Sequence, residues 1–324
     1  MTERENALLV LQHKKPEWTP LSFDCLHHIG FAGGNECGLV TEDHRDIFGV
    51  KWAIEKDPTP DPNEPFMLEE IEDWRDVVKF PEPKTWDWEK IREAELEGYD
   101  GEKVLVWFSE QGLFDRIQTL GGTTNALCWL LTDPEECYEF FSRMADFKVE
   151  LVECVAKYIK PDMFMYTDDL ATKNSLFISP DTYRSLIKPH QERIIRAIRE
   201  NGMIAEQHCC GKCDTIMGDF VEIGVEAFFP AQAVNDIVKI QKDYGDKLTV
   251  IGGYDSQGDP GRPDCSDESI INEAHRIIDS YADNGSFICM PMIMDTKINW
   301  AMYEPSHRQR LFRDEFYSYG KKNA

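Results

Sequence analysis

The segment His208-Cys209-Cys210 and the distant Cys289 are the residues whose types and spacing could do chemistry. One imidazole and two thiols are ligands that zinc and similar divalent metals prefer in proteins. The apolar run Met203–Gln207 predicts a strand, and residues two apart in a strand point to the same face. His208 and Cys210 should therefore converge, and Cys289, at the end of another apolar run, could supply a third ligand. Three protein ligands leave a position open, which is typical of a catalytic zinc site.

Other interpretations fit the same residues. Cysteine is among the most buried residue types, and a histidine near a strand end is often a core residue. Cys210 and Cys213 form a CxxC pair that could bind a metal locally with His208 or Cys209, although the chain has no second CxxC to complete a four-ligand structural site. A cluster of this kind could also store zinc or regulate a protein without catalysis.

Composition limits the class of protein. The chain has 324 residues, a length that barrels of alternating strands and helices reach as one unit. A net charge of -25 argues against nucleic acid and anionic membranes as partners. No apolar run approaches the roughly 18 residues of a membrane span, and no signal-peptide pattern opens the chain. Ten cysteines without an export signal predict a cytoplasmic protein with free or metal-bound thiols.

Strands alternate with helices from residue 103 onward, which favours a parallel sheet with crossover helices. The apolar runs predict strands at Val104–Phe108, Met163–Tyr166, Met203–Gln207, Ala227–Pro230, Leu248–Gly252 and Ser286–Met290. A helix should begin at Ser179-Pro180 and end at Asn201-Gly202. Because no phosphate-binding glycine motif is present, we expect an α/β fold of the (β/α)8 TIM-barrel type. Residues 1–324 should form a single domain, with 1–100 as an N-terminal elaboration of helices and loops and 101–324 as most of the barrel.

Polar residues at the predicted strand ends are candidates for substrate binding, because catalytic groups of such barrels lie where strands end. Adjacent strand residues point oppositely, so at most one of Asp168 and Asp169 should face the barrel mouth, and we favour Asp169 over a purely capping role. The remaining candidates are Tyr166, Gln232, His28 and Asp255. Aromatic and sulfur-containing residues expected near the mouth are Phe31, Trp107, Phe108, Phe114, Tyr166, Phe229, Met290, Met292 and Met294.

Several motifs resemble the uroporphyrinogen decarboxylase superfamily, and more closely its corrinoid-dependent methyltransferase branch. The resemblance covers nearly the whole chain. It is carried by the opening Met1–Pro20, by Ile178–His190, by Gly252-Gly253-Tyr254-Asp255, and by His208-x-Cys210 followed by a distant cysteine. In the methyltransferase branch the last motif is the zinc site, which implies zinc ligation by His208, Cys210 and Cys289. The fourth position has no clear match, with Glu226 and Gln232 as the nearest candidates.

The resemblance implies methyl transfer with a corrinoid carried by a separate protein, since the chain has no corrinoid-binding loop of its own. The segment Leu21–His28 contains no arginine, which speaks against a tetrapyrrole bearing many carboxylates. We expect a methoxylated aromatic donor and a Co(I) acceptor. One alternative is a thiol acceptor such as coenzyme M, whose sulfonate would need Arg116 or Lys297. Another is a metal-free decarboxylase acting through Asp168 or Asp169. The resemblance is also compatible with a homodimer.

Overall fold

Seven parallel strands form the sheet that carries the candidate residues. The computed structural model describes residues 1–31, 36, 44–53, 61–62, 65–283, 285–293 and 306–323. The strands are β1 Leu26–Ile29, β2 Val104–Ser109, β3 Met163–Thr167, β4 Ile204–His208, β5 Ala227–Ala231, β6 Thr249–Gly253 and β7 Phe287–Met290. Each pairs with the next one along the chain, in the order β1 to β7. The described residues therefore confirm the parallel α/β architecture, while an eighth strand and full closure of a barrel stay a prediction.

A short backbone contact brings the two edges of this sheet close together. Leu21 forms a parallel bridge with Cys289 of β7, and the Cys289 amide donates to the Pro20 carbonyl at 2.9 Å. Five residues after Leu21 the chain enters β1, at the opposite edge. The sheet is consequently curled.

The two faces of the sheet pack against different partners. Alternate residues such as Trp107, Phe164 and Phe228 belong to the large core shared with the helices, and we call this side the helix face. The intervening residues, such as Val106 and Met165, form a second and smaller apolar cluster, and we call this side the inner face. Because strands of parallel sheets are buried on both faces, their sequences read as continuous apolar runs.

The helices lie before and between the strands in sequence, and those that follow a strand cover the helix face. Their bounds are α1 Glu3–Leu11, α2 Ser22–Cys25, α3 Trp74–Val77, α4 Trp88–Glu95, α5 Leu113–Gly121, α6 Thr123–Thr132, α7 Pro134–Tyr158, α8 Lys188–Glu200, α9 Met217–Glu222, α10 Ile237–Tyr244, α11 Asp267–Ile277 and α12 His307–Asn323. One-turn 3₁₀ helices occur at Ile71–Asp73, Pro83–Thr85, Asp214–Ile216 and Asp259–Gly261, and a two-stranded antiparallel pair joins Trp52–Ala53 to Asp61–Pro62. Among the described residues, no helix combines the length and the apolar character needed to cross a membrane.

The helix predicted after Ser179 is interrupted at its first turns. The Ser179 hydroxyl accepts from the Thr182 amide at 3.0 Å, which confirms the predicted cap. A short helical turn, Pro180–Thr182, is followed by a π-helical turn, Tyr183–Ile187, and only then by α8. The wider turn lies just before Pro189, whose ring leaves the preceding backbone without its usual partner. Asn201 and a left-handed Gly202 (φ 79°) end α8 as predicted.

Helix α1 packs against the inner face rather than the helix face. Its Ala7, Val10 and Leu11 belong to the inner-face cluster. Arg4 donates two hydrogen bonds to the Asp162 carboxylate, at 2.6 Å each, and so ties α1 to the start of β3. The strands begin at this end of the sheet, so the opposite end, where they finish, holds the polar residues.

A buried ion pair fixes α5 to the N-terminal segment. Arg116 Nη1 lies 2.6 Å from Asp46 Oδ2, and both side chains are fully buried. The Asp46 carboxylate also accepts from the amides of Phe48 and Val50 and from the Trp52 indole. Asp46 is therefore a fully hydrogen-bonded carboxylate whose counter-charge is Arg116.

Replacing Arg116 by Met should lower the free energy of unfolding by about 3–5 kcal/mol, because Asp46 would stay buried without a counter-charge. Urea unfolding followed by circular dichroism measures the change. The matched control is Arg75→Met, which removes a half-exposed pair with Glu136 and should cost about 1 kcal/mol or less. Equal losses in the two variants would contradict this account of the buried pair.

Candidate metal and substrate site

Asp169, His208 and Cys210 meet at the carboxyl ends of β3 and β4. His208 Nε2 lies 3.7 Å from Cys210 Sγ and 3.7 Å from Asp169 Oδ1, and all three ligand atoms lie within 4.8 Å of one another. We call these three residues the Asp-His-Cys group. Among the described residues, it is the one set of three His, Cys, Asp or Glu side chains that converges in this way. The structure thus brings His208 and Cys210 together as predicted and adds Asp169 to them.

Hydrogen bonds to the backbone hold the loops of this group in place. The Cys210 amide donates to Asp169 Oδ1 at 2.6 Å, and the Asp169 amide donates to Asp115 Oδ2 at 3.0 Å. Gln232 Oε1 accepts from the Gly211 amide at 2.9 Å. Gly211 has φ +86°, and a Cβ there would lie 2.4 Å from the Thr172 carbonyl oxygen. Only glycine therefore fits the turn that follows Cys210.

The neighbouring Asp168 has a structural role. Its carboxylate accepts from the amides of Leu113, Phe114 and Asp115 at the start of α5, at 2.9–3.1 Å. Tyr166 also donates its hydroxyl proton to Asp168, at 3.0 Å. A carboxylate at this position satisfies free amides and interacts favourably with the helix dipole. The two adjacent aspartates point to different partners, as the alternation of strand residues predicts.

Burial sets the protonation of the group. Desolvation lowers the pKa of His208 below its ordinary value, and the nearby Asp169 opposes that shift. Desolvation raises the pKa of the Cys210 thiol, with Asp169 adding to the shift. The imidazole is therefore neutral and the thiol protonated at neutral pH, and a metal ion would displace the thiol proton on binding.

A zinc ion fits this donor set. Imidazole nitrogen, thiolate sulfur and carboxylate oxygen are all zinc ligands, and donors bound at about 2.0–2.3 Å around a tetrahedral ion lie roughly 3.5 Å apart. His208 lies at 3.7 Å from each of the other two ligand atoms. The side chains of His208 and Asp169 are 15% and 39% exposed, so the group is reachable from solvent.

Cys289 lies away from this group, and here the structure differs from the sequence-based prediction. The strand residues Ile288 and Met290 belong to the inner-face cluster, while Cys289 belongs to the helix-face core. His208 contacts the rings of the inner-face residues Phe108 and Phe229. Alternation along β7 therefore turns the Cys289 thiol away from His208.

The local CxxC alternative also finds no support in the geometry. Cys213 is fully buried, and its Sγ lies 3.3 Å from Cys209 Sγ rather than beside the Asp-His-Cys group. Of the nine described cysteines, none forms a disulfide and Cys128 is the exposed one. Cys210 and Cys265 are half-buried, and the others are buried.

The other predicted substrate residues divide between the site and the scaffold. His28 lies at the inward-facing position of β1 beside Val106, and burial together with nearby His27 and His208 lowers its pKa to about 4. Gln232 lies 4.0 Å from Cys210 Sγ. Tyr166 is on the helix face, bound to Asp168, and the Asp255 carboxylate accepts from the Gln257 and Gly258 amides of its own loop.

The expected mouth residues divide in the same way. Phe108, Phe229, Met290 and Met292 line the inner face or pack against its cluster, and Phe31 contacts Phe108 with ring centroids 5.4 Å apart. Trp107, Phe114 and Tyr166 belong to the helix-face core instead. Met294 and Lys297 lie outside the described residues.

Sequence reasoning missed Glu206, which lies two residues before His208 on the inner face. Its side chain is fully buried, and neither carboxyl oxygen has a hydrogen-bond partner among the described residues. Desolvation raises the pKa of Glu206 to about 8. The only sequence signal was its spacing, since positions 204, 206 and 208 of one strand share a face.

A family model for uroporphyrinogen decarboxylase (URO-D) matches residues 114–292, which is more than half of the chain. The chain belongs to the uroporphyrinogen decarboxylase family. The match spans β3 to β7 and all three residues of the Asp-His-Cys group. It confirms the superfamily that the sequence motifs indicated.

Solved structures agree with this fold assignment. A methyltransferase from Methanosarcina mazei superposes with a TM-score of 0.70 at 13% sequence identity, over 98% of this chain and 99% of that one. Native xylanase 10B from Thermotoga maritima gives a TM-score of 0.45 at 12% identity, over 99% and 100% of the two chains, which is too weak to support an argument. A comparison with curated proteins finds no match. At these identities the likeness to solved structures concerns the fold alone.

Replacing Glu206 by Gln should flatten the dependence of stability on pH. The folded-state pKa of about 8 lies above the ordinary glutamate pKa of 4.5, so the unfolded chain loses this proton first as pH rises. The contribution of Glu206 to stability therefore falls between about pH 4.5 and pH 8. The stability of Glu206→Gln relative to the natural protein should rise over this range by a few kcal/mol, on the order of what such a shift implies.

Urea unfolding at pH 5, 6, 7 and 8 measures this difference. Glu200→Gln is the control, because Glu200 is exposed at the end of α8 and should give a constant difference over the same range. Parallel curves for Glu206→Gln and the natural protein would rule out a raised pKa at this position.

Proposed function

We propose that this protein is a zinc-dependent methyltransferase that moves a methyl group from a methoxylated aromatic compound to the Co(I) corrinoid of a separate protein. The observation that carries the proposal is the Asp-His-Cys group at the carboxyl ends of the strands, next to aromatic side chains. Catalytic sites of (β/α)8 folds lie at this end. The similarity in fold to a methyltransferase from Methanosarcina mazei supports the reaction class.

The ligands that we propose for zinc are His208, Cys210 and Asp169. Three protein ligands leave one position for a substrate atom, as catalytic zinc sites require. When bound, zinc supplies Lewis acidity toward an ether oxygen and so makes a phenolate a better leaving group. A neutral imidazole and two anionic ligands would leave the zinc centre formally neutral, which suits an oxygen that gains negative charge.

The protein residues then have to bind and orient the aromatic ring. The Phe108 and Phe229 rings lie 6.4 and 5.2 Å from the His208 ring, centroid to centroid, and both are edge-on to it. Aromatic side chains recognise flat apolar ligands through such contacts. His28 completes this inner surface, and the lowered pKa of its imidazole keeps it uncharged at neutral pH.

Two alternatives are less compatible with the arrangement of these residues. A sulfonated thiol acceptor would need a free cation. Of the two candidates, Arg116 is fully buried and paired with Asp46, and Lys297 lies outside the described residues. A decarboxylase acting through Asp168 or Asp169 would need a free carboxylate. Asp168 accepts from three amides and the Tyr166 hydroxyl. Asp169 accepts from the Cys210 amide and lies beside His208. The partner corrinoid protein would approach from the carboxyl end, near Phe31, which is 38% exposed.

Metal content should follow the Asp-His-Cys group. We expect about one zinc per chain, loss of zinc in His208→Ala and Cys210→Ala, and an affinity reduced at least tenfold in Asp169→Asn. Cys289→Ala is the matched control and should retain the metal, because its thiol lies on the helix face. Elemental analysis after dialysis against chelators of increasing affinity for zinc measures the zinc content of all four variants. Zinc lost from Cys289→Ala but retained by Asp169→Asn would restore Cys289 as a ligand in place of Asp169.

The reaction itself can be followed in the optical spectrum of the corrinoid. Adding methoxybenzene or a methoxyphenol to the zinc-loaded protein and a Co(I) corrinoid protein should convert Co(I) to methyl-Co(III) and release the corresponding phenol. The conversion should fail with Cys210→Ala and persist with Cys289→Ala. Methylation of a thiol from methyl-Co(III), with no reaction of any methoxyarene, would reverse the direction that we propose.

A further inference from the structure

Three neighbouring side chains on the inner face carry buried polar atoms that have no partner among the described residues. Among the described residues, no group bonds to the two carboxyl oxygens of Glu206, to Thr167 Oγ1 or to His208 Nδ1. Glu206 is 0% exposed and Thr167 is 8% exposed. Buried polar groups are normally hydrogen-bonded, because a buried group without a partner loses its hydrogen bonds to water. Three in one place indicate a site that is built for a polar ligand.

The strand register places these three side chains next to one another on the inner face. Thr167 of β3 is paired with His208 of β4, and Glu206 lies one inward-facing position below His208, about 7 Å along the strand. The surrounding inner-face residues are apolar and include Met165 and Ala227, which flank Glu206 in the sheet. The ligand that enters must therefore combine an apolar body with a polar group at its inner end.

The hydrogen-bonding capacity of these three side chains indicates which polar group a ligand would need. Carboxyl oxygens of Glu206 accept hydrogen bonds, whatever the charge of the group. His208 Nε2 faces Asp169 and Cys210, so under the proposed ligation the ring proton is on Nδ1, which then donates. A hydroxyl group can donate to Glu206 and accept from His208 at once, whereas an ammonium only donates and a carboxylate only accepts.

We propose that Glu206 and Thr167 bind a phenolic hydroxyl, so that the preferred substrate is a methoxyphenol rather than a methoxybenzene. This inference rests on the proposed function, because it assumes a methoxyarene beside His208. Glu206 and Thr167 are specificity-determining residues, since they would touch the substrate but not the methyl group.

Equilibrium binding tests the inference without methyl transfer. Isothermal titration of the zinc-loaded protein with the three methoxyphenol isomers and methoxybenzene gives their relative affinities. At least one methoxyphenol should bind about tenfold to a hundredfold more tightly than methoxybenzene, because a hydrogen bond to a buried group contributes about that much to affinity.

The variants assign that preference to the two side chains. Glu206→Leu should abolish the advantage of the hydroxyl, Thr167→Val should reduce it, and Glu206→Gln, which keeps an acceptor oxygen, should retain most of it. The quantity compared in each variant is the ratio of methoxyphenol affinity to methoxybenzene affinity, because each substitution also changes the apolar lining of the site. Met165→Leu is the control, because it alters a neighbouring inner-face side chain without a polar group. Thermal unfolding verifies that each variant is folded, and the ligand series on the natural protein decides the question even if one variant is not.

The outcomes separate this inference from the proposed function. Equal binding of methoxyphenols and methoxybenzene to the natural protein, or an unchanged preference in Glu206→Leu, overturns the role of Glu206. Tighter binding of an alkylammonium ion than of any methoxyphenol also overturns it. A preference for methoxyphenols that depends on Glu206, without methyl transfer to the corrinoid, would support the hydroxyl site and overturn the proposed reaction.

Discussion

The pairing of Thr167 with His208 determines the geometry of the candidate site. Because β3 and β4 are parallel and in this register, the residues two positions beyond each partner, Asp169 and Cys210, emerge side by side. The Cys210 amide then reaches the Asp169 carboxylate, and the His208 ring lies between the two. A shift of one residue would turn His208 to the helix face and disperse the group. The register between β3 and β4 therefore determines the convergence of the ligands more than the conformations of the loops do.

Buried charge stabilises the same end of the molecule. Asp168 satisfies the first amides of α5, and Asp115, one of the donors in that turn, accepts from the Asp169 amide. Desolvation raises the pKa of Asp168 to about 6. Desolvation also raises the pKa of Asp115 well above its ordinary value, and the charges of Asp168 and Asp169 add to that shift. The helix that is capped by one aspartate thus carries another that positions the site. Loss of either would disturb the alignment of Asp169 as well as the stability of α5.

Much of the sheet could be predicted from the sequence, because long apolar runs between helical patterns identify strands that are buried on both faces. The same property explains the difference at Cys289. In a strand with one polar face, alternation tells which residues point where, but Phe287–Met290 is apolar throughout, so its faces cannot be distinguished without the register. The strand Leu26–Ile29 was missed because His27 and His28 interrupt its apolar pattern.

The site residues also differ in how far the sequence alone could predict them. His208 and Cys210 were predictable, because spacing within one strand end requires no knowledge of the rest of the fold. Asp169 was expected to contact substrate, and its place beside the imidazole depends on the register between two strands that are 41 residues apart in sequence. Glu206 was missed because a glutamate in a strand ordinarily signals an exposed position. Only the inner-face packing around it reveals that it is enclosed.

The cysteines differ in exposure, so their reactivity toward an alkylating reagent reports on the state of the chain. Cys128 is exposed, Cys210 and Cys265 are half-buried, and the remaining described cysteines are shielded by the cores. An alkylating reagent should therefore modify a few positions of the folded protein and many more after unfolding. With Cys128 and Cys265 changed to serine, the rate of alkylation at Cys210 would follow ligation at this one sulfur, and mass mapping of the labelled peptide would distinguish it from other cysteines. The arrangement makes occupancy of the site observable by peptide mass, independently of any substrate.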